Sequence, residues 1–178
     1  MNLPNTLTIL RILSVPVFTI FLLYDHLFYA LVIFVCAGIT DALDGLIARV
    51  YKQKTTIGAY LDPIADKLML ATAFIGMAVL GIVPRWLTVV VITRDVIILL
   101  GVLILMLTSH RVEINPTLLS KATTEFQILT IIVMLLTPYS SLFRGLSVYF
   151  VWITTVVTLA SGFQYIYIGS KYFNGKGG

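Results

Sequence analysis

The chain has 178 residues, 59% of them hydrophobic and only 11% charged. A soluble domain carries roughly 25% charged residues, so this composition excludes an ordinary soluble core and points to helices packed in a bilayer. The net charge of +4 fits anchoring to anionic lipid headgroups; with no basic–aromatic repeat, no nucleic-acid partner is expected.

Six apolar spans follow one another, near 7–24, 27–48, 64–83, 86–108, 118–137 and 145–168. Each is close to the ~20 residues that cross a bilayer's hydrocarbon. Short polar or proline-containing breaks separate them: Tyr24-Asp25-His26, the 51–60 segment, Pro84-Arg85, 109–116 and 138–145. The start of the chain lacks a basic region and an A-x-A-like site, so it reads as a retained first helix. No internal repeat or linker divides the chain. The expected fold is all-α, one domain over 1–178, an integral membrane bundle of six transmembrane helices.

Basic residues fall unevenly at the span ends. Arg49, Lys52, Lys54, Arg111, Lys171 and Lys176 would lie on one side, and only Arg85 and Arg144 on the other. The positive-inside rule places the first side in the cytoplasm. Cys36 is the single cysteine, which excludes an intramolecular disulfide. His26 and His110 form no H-x-x-x-H pair, which argues against a zinc enzyme.

One segment breaks the apolar pattern. Between Thr40 and Lys67 stand Asp41, Asp44, Asp62 and Asp66, half of the chain's eight acidic residues. Asp41 and Asp44 share a helical face near the end of the second span, and Gly45, Ala48 and Arg49 follow. Asp62-Pro63 reads as an N-cap and first residue of the third span, with Asp66 one turn on and Gly58 in the preceding loop. Singly, Asp62 could be only a cap and Asp66 only a favourable first-turn charge. Together, four carboxylates at a membrane interface repel unless a cation joins them. Arg49 and Lys67 are too few. Hard divalent cations bind oxygen ligands, and a metal pair suits phosphoryl chemistry.

The run Asp41-x-x-Asp44-Gly45-x-x-Ala48-Arg49, eight residues, Gly58-x-x-x-Asp62-x-x-x-Asp66 resembles the signature of the CDP-alcohol phosphatidyltransferases at every fixed position and gap. The opening Asn2-Leu3-Pro4-Asn5-x-Leu7-Thr8-x-x-Arg11 and the six-span layout extend the likeness. The resemblance implies an enzyme of a bacterial inner membrane, working at the cytoplasmic face. Asp41, Asp44, Asp62 and Asp66 would hold two divalent cations, Mg²⁺ or Mn²⁺, with Asp66 also the general base. Gly45, Ala48 and Arg49 would seat the nucleotide, with Asn5 and Thr8 as further contacts. The substrates would be CDP-diacylglycerol and an alcohol acceptor, the surroundings membrane lipids, and the assembly a homodimer.

Two acceptors remain open. Thr93-Arg94-Asp95 and Leu119-Ser120-Lys121-Ala122-Thr123-Thr124 are similar to branches using glycerol 3-phosphate or phosphatidylglycerol, the latter making cardiolipin. Arg94 and Lys121 lie in apolar spans, where charge is usually functional, and are assigned to the acceptor's phosphate. An Arg94–Asp95 pair is discounted, because neighbouring side chains diverge on a helix. Where the glycerol 3-phosphate branch usually shows Gly-Lys-x-Lys-Thr, this chain lacks the second lysine. That departure leans toward the diester acceptor; glycerol 3-phosphate is retained because its enzymes are common among short bacterial chains. A divalent-cation transporter is the alternative from another class, but it would place carboxylates near the midplane, often with repeat symmetry.

Overall fold

The computed structural model describes residues 3–50, 56–107 and 117–173, with side chains placed at 9–40, 65–101 and 117–170. These residues form six α-helices and no strand: α1 Leu3–Leu23, α2 Leu27–Val50, α3 Thr56–Val79, α4 Arg85–Leu107, α5 Leu118–Leu136 and α6 Ser141–Phe173. The shortest has 19 residues and the longest 33. At ~1.5 Å rise per residue they are about 29 and 50 Å long.

Two connections are helix-terminating turns of the same kind. After α1, the His26 N–H donates to Phe21 O at 2.9 Å and Asp25 N–H to Leu22 O at 3.2 Å. After α3, Ile82 N–H donates to Met77 O at 2.8 Å and Gly81 N–H to Ala78 O at 3.3 Å. Both satisfy carbonyls that a helix end would otherwise leave bare, and both need a left-handed residue. Gly81 supplies it at φ 74, and Asp25 does so at φ 59.

α1 packs against α2 and α3, while α6 packs against α4 and α5; α3 and α5 also touch, and each reaches the other group. The apolar centre of the first group holds Phe18, Leu22, Phe34, Phe74 and Met77. The Phe18 and Phe34 rings meet tilted, 5.9 Å between centroids. Gly76 lets α3 approach α1 closely, since a Cβ there would stand 2.6 Å from Leu22 Cδ2. The α5–α6 contact is built differently. Thr130 and Thr154 share a 2.6 Å hydrogen bond, Thr154 also donates to Phe126 O at 3.2 Å, and Thr123 donates to Val157 O at 3.3 Å. Small hydroxyl residues let two helices come close and bond across an apolar interface.

The structure differs from the sequence expectation at several helix ends. α3 begins at Thr56, so Asp62-Pro63 lies within the helix and Gly58 in its first turn. Asp62 is therefore not an N-cap. Proline forgoes one i→i−4 bond, which a helix supported by its neighbours can absorb. α1 likewise passes through Pro16. Nearby, the Ser14 hydroxyl donates to Arg11 O at 2.6 Å and Thr19 to Val15 O at 2.8 Å. α6 runs past the expected 145–168 at both ends.

Among the described residues, Leu118–Leu136 and Ser141–Ser170 are long and apolar enough to cross a membrane; Ile9–Leu23 and Leu27–Thr40 are shorter apolar helices. Much of the outer surface is apolar, including Leu13, Val89, Tyr149, Trp152 and Phe163. Such a surface is disfavoured in water and ordinary against lipid chains. The described residues thus form an all-helical protein of membrane character.

Gly81→Ala is expected to destabilise the fold by ~1–2 kcal/mol, the cost of holding a Cβ-bearing residue in the left-handed region. The site has no neighbour within 4 Å of an added Cβ, so a lowered midpoint in thermal unfolding would report backbone conformation alone.

Candidate active site

α1 and α3 each bring one charged side chain to the same place. The Arg11 guanidinium, 2% exposed, donates through Nη1 to Asp66 Oδ1 at 2.8 Å; the Asp66 side chain is 42% exposed. A buried guanidinium needs a carboxylate to offset its lost hydration. The pairing also fixes the carboxylate's rotamer. Arg11 carries no assigned role in the sequence reading, although a charge within an apolar run was the signal that could have singled it out.

The pair stands on the wall of a cavity of about 380 Å³ between α1, α2, α3 and α5. Phe34, Ala37, Met69, Leu70, Ile128 and Ile132 make the wall largely apolar, and Thr124 adds a hydroxyl. A cavity of this size and lining fits an apolar chain with a polar head against the Arg11–Asp66 end.

The remaining acids are ordered along the same helices. Asp41 stands one turn beyond Ala37 and Gly38 on α2, with Asp44 three residues on, and Asp62 one turn before Asp66 on α3. The side chains of Asp41, Asp44 and Asp62 lie outside the described residues, as do those of Asn5, Thr8, Ala48 and Arg49, and the surroundings of Gly45. Among the described residues no three potential metal ligands cluster. The donor set itself is all carboxylate oxygen, the chemistry that hard divalent cations prefer. Asp66, one of the four, stands partly open on the cavity wall. By donor chemistry alone, a set of carboxylates suits a hard cation such as Mg²⁺ or Mn²⁺.

A second charged cluster joins four helices. Arg94 of α4 is 4% exposed. Its Nη1 donates to Asp95 Oδ1 at 2.8 Å, Nη2 to Ser120 Oγ of α5 at 2.6 Å and to Ser161 Oγ of α6 at 2.7 Å, and Nε to Ser161 Oγ at 3.2 Å. Its Cζ lies 5.9 Å from the centre of the Tyr165 ring. Lys67 of α3, the residue after Asp66, reaches Asp95 Oδ1 at 2.5 Å. The Arg94–Asp95 pair is therefore made, against expectation. Diverging Cβ directions do not prevent it, because arginine's long stem can curl its planar head back beside its own backbone. Lys121, on α5's first turn and capped by Thr117, is exposed; the residue that meets Arg94 there is its neighbour Ser120. Ser120 and Ser161 escaped the site assignment, since small hydroxyls carry no sequence signal; Lys67 and Asp95 were visible as charges, but only as counter-ions.

An apolar helical chain with a carboxylate–arginine pair on the wall of a largely apolar cavity defines a class, a helical protein of membrane character with a charged site. The profile of the CDP-alcohol phosphatidyltransferase family matches residues 1–160, and the chain belongs to that family. It is 44% identical over 121 residues to a probable phosphatidylglycerophosphate synthase of Mycobacterium tuberculosis, covering 65% of this chain and 56% of the relative. It is 31% identical to the CMP-forming cardiolipin synthase of Rattus norvegicus, covering 96% of this chain and 62% of that protein. It is also 31% identical to the CDP-diacylglycerol–glycerol-3-phosphate 3-phosphatidyltransferase of Bacillus subtilis, covering 92% and 93%. The chain thus spans little more than half the mycobacterial relative and nearly all of the Bacillus one. Family membership sets the cation-transporter alternative aside.

Ser161→Ala is expected to lower stability by ~1.5–3 kcal/mol, because it removes hydrogen-bond acceptors from a buried charged group. Thermal unfolding in detergent checks this; an unchanged midpoint would mean that Arg94 does not depend on α6.

Proposed function

We propose that the chain is an integral membrane enzyme that transfers a phosphatidyl group from CDP-diacylglycerol to glycerol 3-phosphate and releases CMP. The observation that carries the proposal is Asp66. It is the last acid of the spaced motif, held by a buried arginine on the wall of an apolar cavity. That arrangement brings a carboxylate to the headgroup of a lipid whose acyl chain lies among Phe34, Met69 and Ile128.

In this reading Asp66 accepts the proton of the attacking hydroxyl, and Arg11 holds the carboxylate in place for it. Gly45, Ala48 and Arg49, with Asn5 and Thr8, seat the cytidine nucleotide. Two divalent cations, Mg²⁺ or Mn²⁺, held by Asp41, Asp44, Asp62 and Asp66, would supply charge neutralisation at the pyrophosphate. Arg94 and Lys121 receive the acceptor's phosphate, Arg94 by exchanging a serine contact for a phosphate oxygen. The spans form a six-helix bundle with the acids at the cytoplasmic face of a bacterial inner membrane, and the enzyme is a homodimer.

The names of the mycobacterial and Bacillus relatives support glycerol 3-phosphate as acceptor. A second reading, phosphatidylglycerol as acceptor with cardiolipin as product, is favoured by the rat relative, which matches 96% of the chain, and by the lysine missing after Lys121.

Asp66→Asn or Asp62→Asn is expected to reduce CMP release by at least ~10³-fold; thermal unfolding should show both variants folded, Asp66→Asn with a lowered midpoint because Arg11 loses its counter-charge. Normal CMP release by either variant would remove the mechanism. Chelation by EDTA should stop turnover of the wild type, and Mg²⁺ or Mn²⁺ should restore it; turnover indifferent to chelation would remove the cations from the account.

A further inference from the structure

Lys67 is the cation of this layer to which the proposed function gives no task. Its ammonium nitrogen is buried and lies 2.5 Å from Asp95 Oδ1. Beyond that contact no described group accepts a hydrogen bond from it, although an ammonium carries three donors. The same Asp95 oxygen takes Arg94 Nη1 at 2.8 Å. One carboxylate therefore faces two cations, and the trio carries a net positive charge within a packed layer. Ser120 and Ser161 satisfy Arg94, which leaves Lys67 as the cation whose donors a further anion would meet.

The place of Lys67 says what that anion is. It follows Asp66 directly, and neighbouring side chains on a helix diverge by about 100°. Asp66 turns toward Arg11 of α1, and Lys67 toward Asp95 of α4. The two side chains therefore face different neighbours of α3, Asp66 at the site of the proposed proton transfer and Lys67 beside Arg94. The Lys67 stem is partly open, the side chain being 32% exposed, while its nitrogen is held inside against Asp95.

We propose that Lys67 binds the phosphate of the alcohol acceptor, and that Asp95 is the positioning residue holding Lys67 and Arg94 to one locus. The inference rests on the function proposed above and deepens it. Lys67 supplies from α3 the second cation that the 120–124 segment lacks. The ligand chemistry is a phosphate ester of an alcohol, whether the monoester of glycerol 3-phosphate or the diester of phosphatidylglycerol.

Steady-state kinetics of the full chain test this, with CDP-diacylglycerol and each acceptor in a separate arm. The arm in which the wild type turns over identifies the ester. In that arm Lys67→Met is expected to raise the acceptor KM about ten-fold or more, as loss of a hydrogen bond from a charged group does. The KM for CDP-diacylglycerol should stay within about two-fold, and Lys67→Arg should recover most of the loss. Asp95→Asn is expected to raise the acceptor KM more than it lowers kcat, a split that a merely structural role would not produce. An unchanged acceptor KM in Lys67→Met, or equal rises for both substrates, overturns the proposal. Should Lys67→Met not fold, inorganic phosphate decides. Competition with the acceptor that weakens in Lys67→Gln supports the assignment; competition that is absent, or undiminished in Lys67→Gln, overturns it. No CMP release by the wild type in either arm would instead overturn the function on which the assignment rests.

Discussion

Removing a guanidinium from water is so unfavourable that it happens only where a carboxylate and further acceptors come with it. Among the described residues this happens at Arg11 and at Arg94, whose side chains are 2% and 4% exposed. Each arginine dictates which helices must meet. Arg11 requires α1 to lie against the Asp66 turn of α3, and Arg94 requires α4, α5 and α6 to converge where Asp95, Ser120 and Ser161 stand. Apolar packing between such helices is permissive, because lipid chains offer a leucine surface much the same contacts as another helix does. The charged layer is directional, and it selects one arrangement among many apolar ones.

α3 is the pivot of that layer. Successive residues, Asp66 and Lys67, pair in opposite directions, to α1 and to α4. The helix that carries two of the motif acids is thereby tied to both halves of the bundle by charges rather than by apolar contact alone. A displacement of α3 would break both ties together. This gives the proposed base a fixed position and explains how a reactive carboxylate can face an otherwise apolar cavity. The hydroxyl ladder between α5 and α6, through Thr130 and Thr154, stiffens the wall on which Ser120 and Ser161 hold Arg94.

Much of this is legible in the amino-acid order. Apolar runs locate all six helices to within a few residues, except where the end of a helix is decided by its neighbours. Asp62-Pro63 has the local chemistry of a helix start, yet α3 continues two turns upstream to Thr56; a cap motif states a preference, and packing settles where the helix begins. The Arg94–Asp95 pair was discounted on Cβ directions, a rule that neglects the reach of a long side chain. Arg11 was visible as a charge in an apolar span, but nothing local names its partner 55 residues away. Ser120 and Ser161 could not be singled out at all, since their importance comes wholly from what the fold brings to them. The spacing of the four acids, by contrast, is a sequence property outright, and it led directly to the family.

The most direct measurement gives the purified protein CDP-diacylglycerol and glycerol 3-phosphate, or phosphatidylglycerol, in buffer containing Mg²⁺, and identifies the lipid formed by mass spectrometry. The account predicts free CMP and, with glycerol 3-phosphate, phosphatidylglycerophosphate in equal amount. CDP-diacylglycerol left intact with both acceptors would contradict it.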